Sequence, residues 1–195
     1  GGPSGRVAND RGGSGGTTTV EFDSLAGRVL SARDSISGTI RNCAGGPTPW
    51  GTWLTCEESN EFHDAPHGYI FEVPANGSGD PTPLRDMGRF SHEAVAVDPA
   101  TGFVYETEDA GNSSGFYRFV PHVDGNLAAG GQLFMLKVRG RERVNLGASY
   151  ANGTAFAVEW VPVLTPDNPA QASPGNFVWA QGRAQGAATF PPLEG

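Results

Sequence analysis

The chain has 195 residues, of which 29 are glycine and 15 are proline, and only 17 % are charged. This composition, with no Gly-X-Y period, excludes a helical bundle, a coiled coil and collagen, and favours an all-β fold with many turns. The formal net charge of −8 at pH 7 gives the protein no electrostatic reason to bind nucleic acid or anionic lipid. Its apolar runs are far shorter than the ~20 residues that a membrane-spanning helix needs. The excess of carboxylates favours hard cations as partners.

Strands are predicted where β-branched residues or alternating apolar positions are followed by turn residues. Asp98-Pro99-Ala100-Thr101-Gly102 predicts a hairpin turn, because proline presets φ and glycine accepts a positive φ. The strands of this hairpin are expected at 93–97 and 103–105. Further strands are predicted at 17–23, 53–58, 132–138, 154–161 and 176–179, and one short helix at 182–188.

Two segments of the chain repeat. Gly68-Tyr69-Ile70-Phe71-Glu72-Val73-Pro74 returns 47 residues later as Gly115-Phe116-Tyr117-Arg118-Phe119-Val120-Pro121. In both copies a preceding strand ends in acids, a polar loop follows, and a strand begins with glycine and an aromatic residue. Four short strands in about 47 residues is the size of a β-propeller blade, and 89–138 is the clearest one. At that size the chain holds about four blades, either as a complete ring or as part of a larger one. We expect residues 1–195 to form a single partial β-propeller domain of the larger kind.

The acids at the ends of the repeated strands are the first candidates for a functional site. Glu57 and Glu58 end one strand, and Glu108 and Asp109 end the matching strand. If both strands end at one face of a ring, these carboxylates repel one another unless cations neutralise them. The alternative is that they cap loops in solvent, and the pattern alone does not decide between the two.

The cysteines and the motifs of nucleophilic catalysis give weaker signals. A thiolate at Cys56, next to two carboxylates, is disfavoured unless a metal binds it. A disulfide between Cys43 and Cys56 is the alternative, and both interpretations stay open. Ser14 and Ser113 match Gly-x-Ser-x-Gly, but neither has the preceding strand and following helix that a nucleophile elbow requires.

Several segments together resemble the PhoX family of bacterial alkaline phosphatases. The most specific is Pro49-Trp50-Gly51-Thr52-Trp53-Leu54-Thr55-Cys56-Glu57-Glu58. The resemblance extends over nearly the whole chain, through Arg41-Asn42-Cys43-Ala44-Gly45-Gly46, Gly88-Arg89-Phe90-Ser91-His92-Glu93, Gly115 to Pro121, and Gln181-Gly182-Arg183-Ala184.

The resemblance implies a six-bladed propeller, of which about four blades are present. It also implies a phosphomonoesterase that acts on small phosphate esters with Fe3+ and Ca2+, in the periplasm or outside the cell. We expect the protein to be a monomer. Residue by residue, the resemblance implies a thiolate iron ligand at Cys56 and iron carboxylates at Glu93 and Glu194, and these three residues would carry catalysis. Calcium would be held by the acids of the repeat: Glu57, Glu58, and Glu108 or Asp109.

Two departures from the family pattern concern the end of the chain. Pro192 stands where a phosphate-binding arginine is expected. The last iron carboxylate of the family is expected beyond Gly195, so the site is expected to be incomplete in this segment. Two other functions remain open: a non-catalytic, calcium-stabilised binding propeller, and a lactonase-type propeller hydrolase in which Cys56 has no role.

Overall fold

The computed structural model describes residues 8–75, 79–168 and 176–193. These residues form ten strands, one α-helix and three single 3₁₀ turns, which confirms the all-β class. The strands are β1 (Gly15–Asp23), β2 (Arg28–Thr39), β3 (Asn42–Pro47), β4 (Thr52–Glu57), β5 (Ile70–Pro74), β6 (His92–Val97), β7 (Val104–Glu108), β8 (Phe116–Pro121), β9 (Gly131–Val138) and β10 (Val158–Val163). The helix α1 is Phe177–Ala184, and the 3₁₀ turns are Arg85–Met87, Gly111–Ser113 and Leu127–Ala129.

The strands are arranged in three antiparallel sheets. β1 and β2 form a hairpin, β3, β4 and β5 form a three-stranded sheet, and β6 to β10 follow one another across a five-stranded sheet. None of these sheets closes on itself within the described ranges. Within the same ranges no helix is long and apolar enough to cross a membrane.

One hydrophobic core joins the three-stranded sheet to the five-stranded sheet. Strands β3 and β6 pack against each other, and a Cβ atom at Gly46 would collide with the carbonyl oxygen of Val95. Only glycine permits such a close approach of two backbones. The core is completed by buried residues of both sheets, including Leu54, Cys56, Ile70, Val104, Tyr117, Phe119, Leu133 and Met135.

Most predicted strands are present, with shifted ends. The hairpin at 98–102 is confirmed: Asp98 N donates to the Phe103 carbonyl at 2.9 Å, and Gly102 has a φ of +69°. The strand expected at 154–161 lies instead at Val158–Val163, where it pairs with β9.

The strand predicted at 176–179 is wrong, because these residues begin α1. A short apolar run such as Phe177-Val178-Trp179 does not distinguish a strand from a buried helical turn. The helix also starts earlier and ends earlier than the predicted 182–188. Val178 is buried in the core, and Gly182 lies directly against Met135 of β9, so the helix covers the edge of the five-stranded sheet.

Candidate metal centre

Two side chains on strands and one from the loop after β4 meet at one end of the packed β3 and β6 strands. Cys43 lies on β3, Glu93 lies on β6, and Glu58 follows the last residue of β4. One ligand atom from each of these residues lies within 4.8 Å of the others. We call these three residues the thiol–carboxylate cluster.

Irregular backbone on two strands directs Cys43 and Glu93 to this point. The pairing of β3 with β4 shifts register between Asn42 and Gly45, and the pairing of β6 with β7 shifts between His92 and Val95. Such irregularities in a ladder change the direction of a side chain and are common beside active sites. The first shift includes Cys43 and the second includes Glu93. Both irregularities therefore affect side chains of the same cluster.

Cys43 and Glu93 are already in contact. The Cys43 thiol donates a hydrogen bond to Glu93 Oε1 at 3.3 Å. Cys43 is exposed, but the desolvation that it does experience and this carboxylate raise the pKa of its thiol, because both disfavour the thiolate. A cation bound between the two groups would reverse this preference, because it stabilises the thiolate and the carboxylate together.

A second pair of acids lies beside the cluster. Glu58 shares a hydrogen bond with Asp109, and burial followed by this contact raises the pKa of Glu58. The Arg41 guanidinium opposes that shift from 3.6 Å. Asp109 is held in place by its backbone N–H, which donates to the Ser91 carbonyl at 3.0 Å. Two neighbouring carboxyl groups offer the oxygen ligands that a hard cation prefers.

Glu57 points away from the cluster and is buried in a hydrogen-bonded network. Its Oε1 accepts from Ile40 N at 2.8 Å and from His67 Nδ1 at 2.7 Å. Its Oε2 accepts from the backbone N–H groups of Gly68 at 2.8 Å and Tyr69 at 3.1 Å. Four donors therefore occupy the Glu57 carboxylate, which closes the loop between β4 and β5.

Glu108 performs the corresponding role in the second copy of the repeat. Its Oε2 accepts from Gly115 N at 2.8 Å and from the Tyr117 hydroxyl at 2.7 Å. In each copy the first acid thus binds the glycine that opens the repeated strand, and the second acid lies at the cluster. Because successive side chains of an extended chain point to opposite sides, Glu57 and Glu108 are separated from Glu58 and Asp109. Burial raises the pKa of Glu108 to about 7.

Cys56 lies in the hydrophobic core, and both cysteines are free. The two cysteines are therefore thiols here, and no disulfide joins them. Burial, followed by the charges of Glu106, Cys43 and Glu93, raises the pKa of the Cys56 thiol well above its usual value. The structure brings Cys43, and not Cys56, together with Glu58 and Glu93.

Glu106 and His92 form a buried polar pair behind the cluster. His92 Nδ1 lies 3.5 Å from Glu106 Oε2, and neither oxygen of Glu106 has a hydrogen-bond partner among the described residues. Burial raises the pKa of Glu106 well above its usual value and lowers the pKa of His92 to about 3. Burial therefore disfavours the charged form of both groups, so the structure does not favour an ion pair between them.

The chemistry of the donors suits the metals that the resemblance implies. A thiolate with carboxylates suits a transition metal such as iron, whereas carboxylates alone suit calcium. Cys43 with Glu93 offers the first set, and Glu58 with Asp109 offers the second. Glu194, the other expected iron carboxylate, lies outside the described residues.

Sequence reasoning did not select Cys43 as a ligand. Its thiol is separated from Glu58 by 15 positions and from Glu93 by 50, and no local motif links them. The available signal was the segment Asn42-Cys43-Ala44-Gly45-Gly46, whose small residues permit both an irregular strand and a close approach to β6.

The fold and the cluster define an all-β protein with a thiol–carboxylate centre suited to cations. A family model described as alkaline phosphatase PhoX matches residues 22–195. The chain therefore belongs to the PhoX alkaline phosphatase family. No curated protein and no solved structure shows significant similarity to the chain.

Proposed function

We propose that this chain is a metal-dependent phosphatase that hydrolyses small phosphate monoesters at the thiol–carboxylate cluster. One observation carries the proposal: in a chain of the PhoX family, irregular backbone on β3 and β6 brings Cys43 and Glu93 together with Glu58. The proposal includes Fe3+ and Ca2+ as cofactors. It also includes a monomeric protein located in the periplasm or outside the cell.

The proposed architecture is a partial β-propeller of about four blades, from a ring of six, with the cluster near its centre. Two features support it. The five-stranded and three-stranded sheets each have consecutive antiparallel strands, as propeller blades do. Their first strands, β6 and β3, pack against each other, as inner strands of neighbouring blades would.

The residues divide into two ligand sets. We assign Cys43 and Glu93 to iron, together with Glu194, and we assign Glu58 and Asp109 to calcium. Cys43 replaces Cys56 as the proposed thiolate ligand because its sulfur lies within 4.8 Å of ligand atoms of both Glu58 and Glu93, whereas Cys56 is buried in the hydrophobic core. Glu57 and Glu108 are assigned to loop closure, because their carboxylates accept backbone and hydroxyl or imidazole donors.

When bound, the cations would polarise the phosphoryl group and neutralise the charge that develops on it. The chain's own residues prepare that state. The Cys43 thiol must lose its proton before it can ligate, and Glu93 Oε1, which accepts its hydrogen bond at 3.3 Å, keeps the sulfur directed into the cluster. Glu58, whose pKa is raised by burial and by the neighbouring Asp109, must be ionised before it can ligate a cation. Metal affinity is therefore expected to rise with pH, as the proposed alkaline phosphatase activity would require.

The test is the release of p-nitrophenol from p-nitrophenyl phosphate at alkaline pH by the chain loaded with Fe3+ and Ca2+. We expect turnover that a chelator removes. A folded, metal-loaded chain without turnover would contradict the phosphatase proposal and favour a non-catalytic binding propeller.

Matched cysteine variants test the ligand assignment separately. Cys43→Ser is expected to lose iron and its thiolate-to-iron charge-transfer absorption. Cys56→Ser is expected to lower stability, because it places a hydroxyl in the core, and to retain that absorption. Loss of the absorption in Cys56→Ser and its retention in Cys43→Ser would instead identify Cys56 as the thiolate ligand.

A further inference from the structure

Arg41 combines an unusual backbone conformation with an exposed side chain at the edge of the thiol–carboxylate cluster. Its φ is +46°, and only one other residue besides glycine, Arg143, has a positive φ in the described part of the chain. For an arginine this conformation is unfavourable, and it persists only where the surrounding structure imposes it. The guanidinium lies 3.6 Å from Glu58, and 61 % of the side chain is exposed.

The turn between β2 and β3, which contains Arg41, is fixed by hydrogen bonds at Ile40, Arg41 and Asn42. Ile40 N donates to Glu57 Oε1 at 2.8 Å, and the Arg41 carbonyl accepts from Glu58 N at 3.0 Å. Asn42 Nδ2 donates to Thr55 Oγ1 at 3.1 Å. The backbone is therefore rigid, whereas the guanidinium faces solvent next to the cluster.

The ion pair with Glu58 does not account for this arrangement. An exposed pair at 3.6 Å stabilises a protein very little, and it involves one nitrogen of a group with five N–H donors. The side chain is mostly exposed, so its other N–H donors are accessible to a ligand beside Glu58. A guanidinium so placed fits a phosphate dianion, since its planar fork donates to two oxygens at once.

Two other arginines, Arg85 and Arg89, form contacts with groups outside the cluster. Arg89 is buried and donates to the carbonyls of His67 and Glu61. Arg85 pairs with Asp167 at 3.0 Å. Among the basic groups of the described residues, Arg41 is the one that forms an ion pair with an acid of the cluster.

We propose that Arg41 is the substrate-binding residue of this site and that it donates to the non-bridging oxygens of a phosphate monoester dianion. The inference rests on the proposed phosphatase function and adds the residue that selects the substrate's charge. Arg41 would balance the negative charge of the carboxylates, so that the dianion approaches a guanidinium as well as the bound cations.

The experiment measures the binding of inorganic phosphate to the Fe3+- and Ca2+-loaded chain by calorimetry, together with KM and kcat for p-nitrophenyl phosphate. The variants are Arg41→Ala, Arg41→Lys and Arg41→Gly. Arg139→Ala is the control, because Arg139 is exposed at the turn after β9. We expect Arg41→Ala to weaken phosphate binding by about 10- to 100-fold, the range for a hydrogen bond between charged groups. Arg41→Lys is expected to be intermediate, and the control unchanged.

Two further readouts separate substrate binding from a structural role. The deciding readout is phosphate affinity at saturating metal, which should fall in Arg41→Ala. A residue that only neutralises Glu58 would change calcium affinity, measured without phosphate, and leave phosphate affinity at saturating metal unaltered. Arg41→Gly should unfold at a temperature no lower than the wild type, since glycine accepts the positive φ, while losing phosphate affinity.

Failure of the inference and failure of the proposed function give different results. If the wild type hydrolyses p-nitrophenyl phosphate and Arg41→Ala keeps the same KM and phosphate affinity, the role of Arg41 is refuted and the phosphatase stands. If the metal-loaded wild type neither turns over nor binds phosphate, both proposals are refuted.

Discussion

Glu108→Gln isolates the effect of one buried carboxyl group on stability. Glu108 is 1 % exposed, and its Oε2 accepts hydrogen bonds from Gly115 N and the Tyr117 hydroxyl. The side-chain oxygen of glutamine can accept both bonds, because the two side chains have nearly the same shape. The substitution therefore removes the charge and the titration while the loop closure is retained.

The magnitude follows from the raised pKa. Burial moves the pKa of Glu108 from 4.5 to about 7, so the folded state binds its proton more tightly than the unfolded state. The contribution of this group is therefore fully present below pH 4.5 and is lost as the pH rises to about 7. At ~1.4 kcal/mol for each pH unit, the loss is about 3 kcal/mol. The stability of Glu108→Gln relative to the wild type should rise by this amount between pH 4.5 and pH 7 and then remain constant.

The assay is urea unfolding with a chelator present, followed by tryptophan fluorescence at half-unit steps from pH 4.5 to 8.5. Glu21→Gln is the control, because Glu21 is exposed on the β1–β2 hairpin, and its stability difference from the wild type should stay flat. A flat difference for Glu108→Gln as well would refute the argument from burial. Repeating the series with Ca2+ tests the assignment of Glu108 to loop closure. We expect calcium to stabilise the variant and the wild type equally. If calcium stabilised only the wild type, Glu108 would be a calcium ligand.

Three further predictions concern packing and buried polar groups. Gly182→Ala should cost about 2 kcal/mol, because the added methyl group overlaps Met135; calorimetry would show a lower Tm, and an unchanged Tm would contradict this contact. His67 donates to two buried carboxylates, and these raise its pKa against the effect of burial. The stability lost in His67→Gln, measured by urea unfolding, should therefore be largest below pH 6.5. The loss should shrink as the pH rises through the raised pKa. Tyr69→Phe removes the 2.8 Å bond to Asp167 and should cost about 1 kcal/mol by the same assay; no loss would show that this bond contributes little.

The all-β class, the hairpin and the repeat could be predicted because they depend on local chemistry. Turn residues at 98–102 require a reversal whatever surrounds them, and the repeat carries the same arrangement of strand, acids and glycine twice. The helix at Phe177–Ala184 could not be predicted in this way. Its apolar residues suit a strand equally well, and its position is determined by packing of Val178 and Gly182 against the five-stranded sheet.

The candidate site shows the same division. Sequence selected Glu57, Glu58, Glu93, Glu108 and Asp109 as candidate acids without distinguishing their surroundings. In the structure Glu58 and Glu93 lie in the cluster, whereas Glu57 and Glu108 accept hydrogen bonds from backbone N–H groups. Neighbouring acids look alike in a sequence. They differ in the structure because alternate side chains of an extended chain point to opposite sides.

By itself the amino-acid sequence determined the composition of strands and turns, the repeat, and the resemblance to the PhoX family. Only the tertiary structure decided that Cys43 joins Glu58 and Glu93 while Cys56 lies in the core. The physical reason is that irregular pairing on β3 and β6 redirects two side chains, and this redirection depends on how the two strands pack together, which no local pattern of residues encodes.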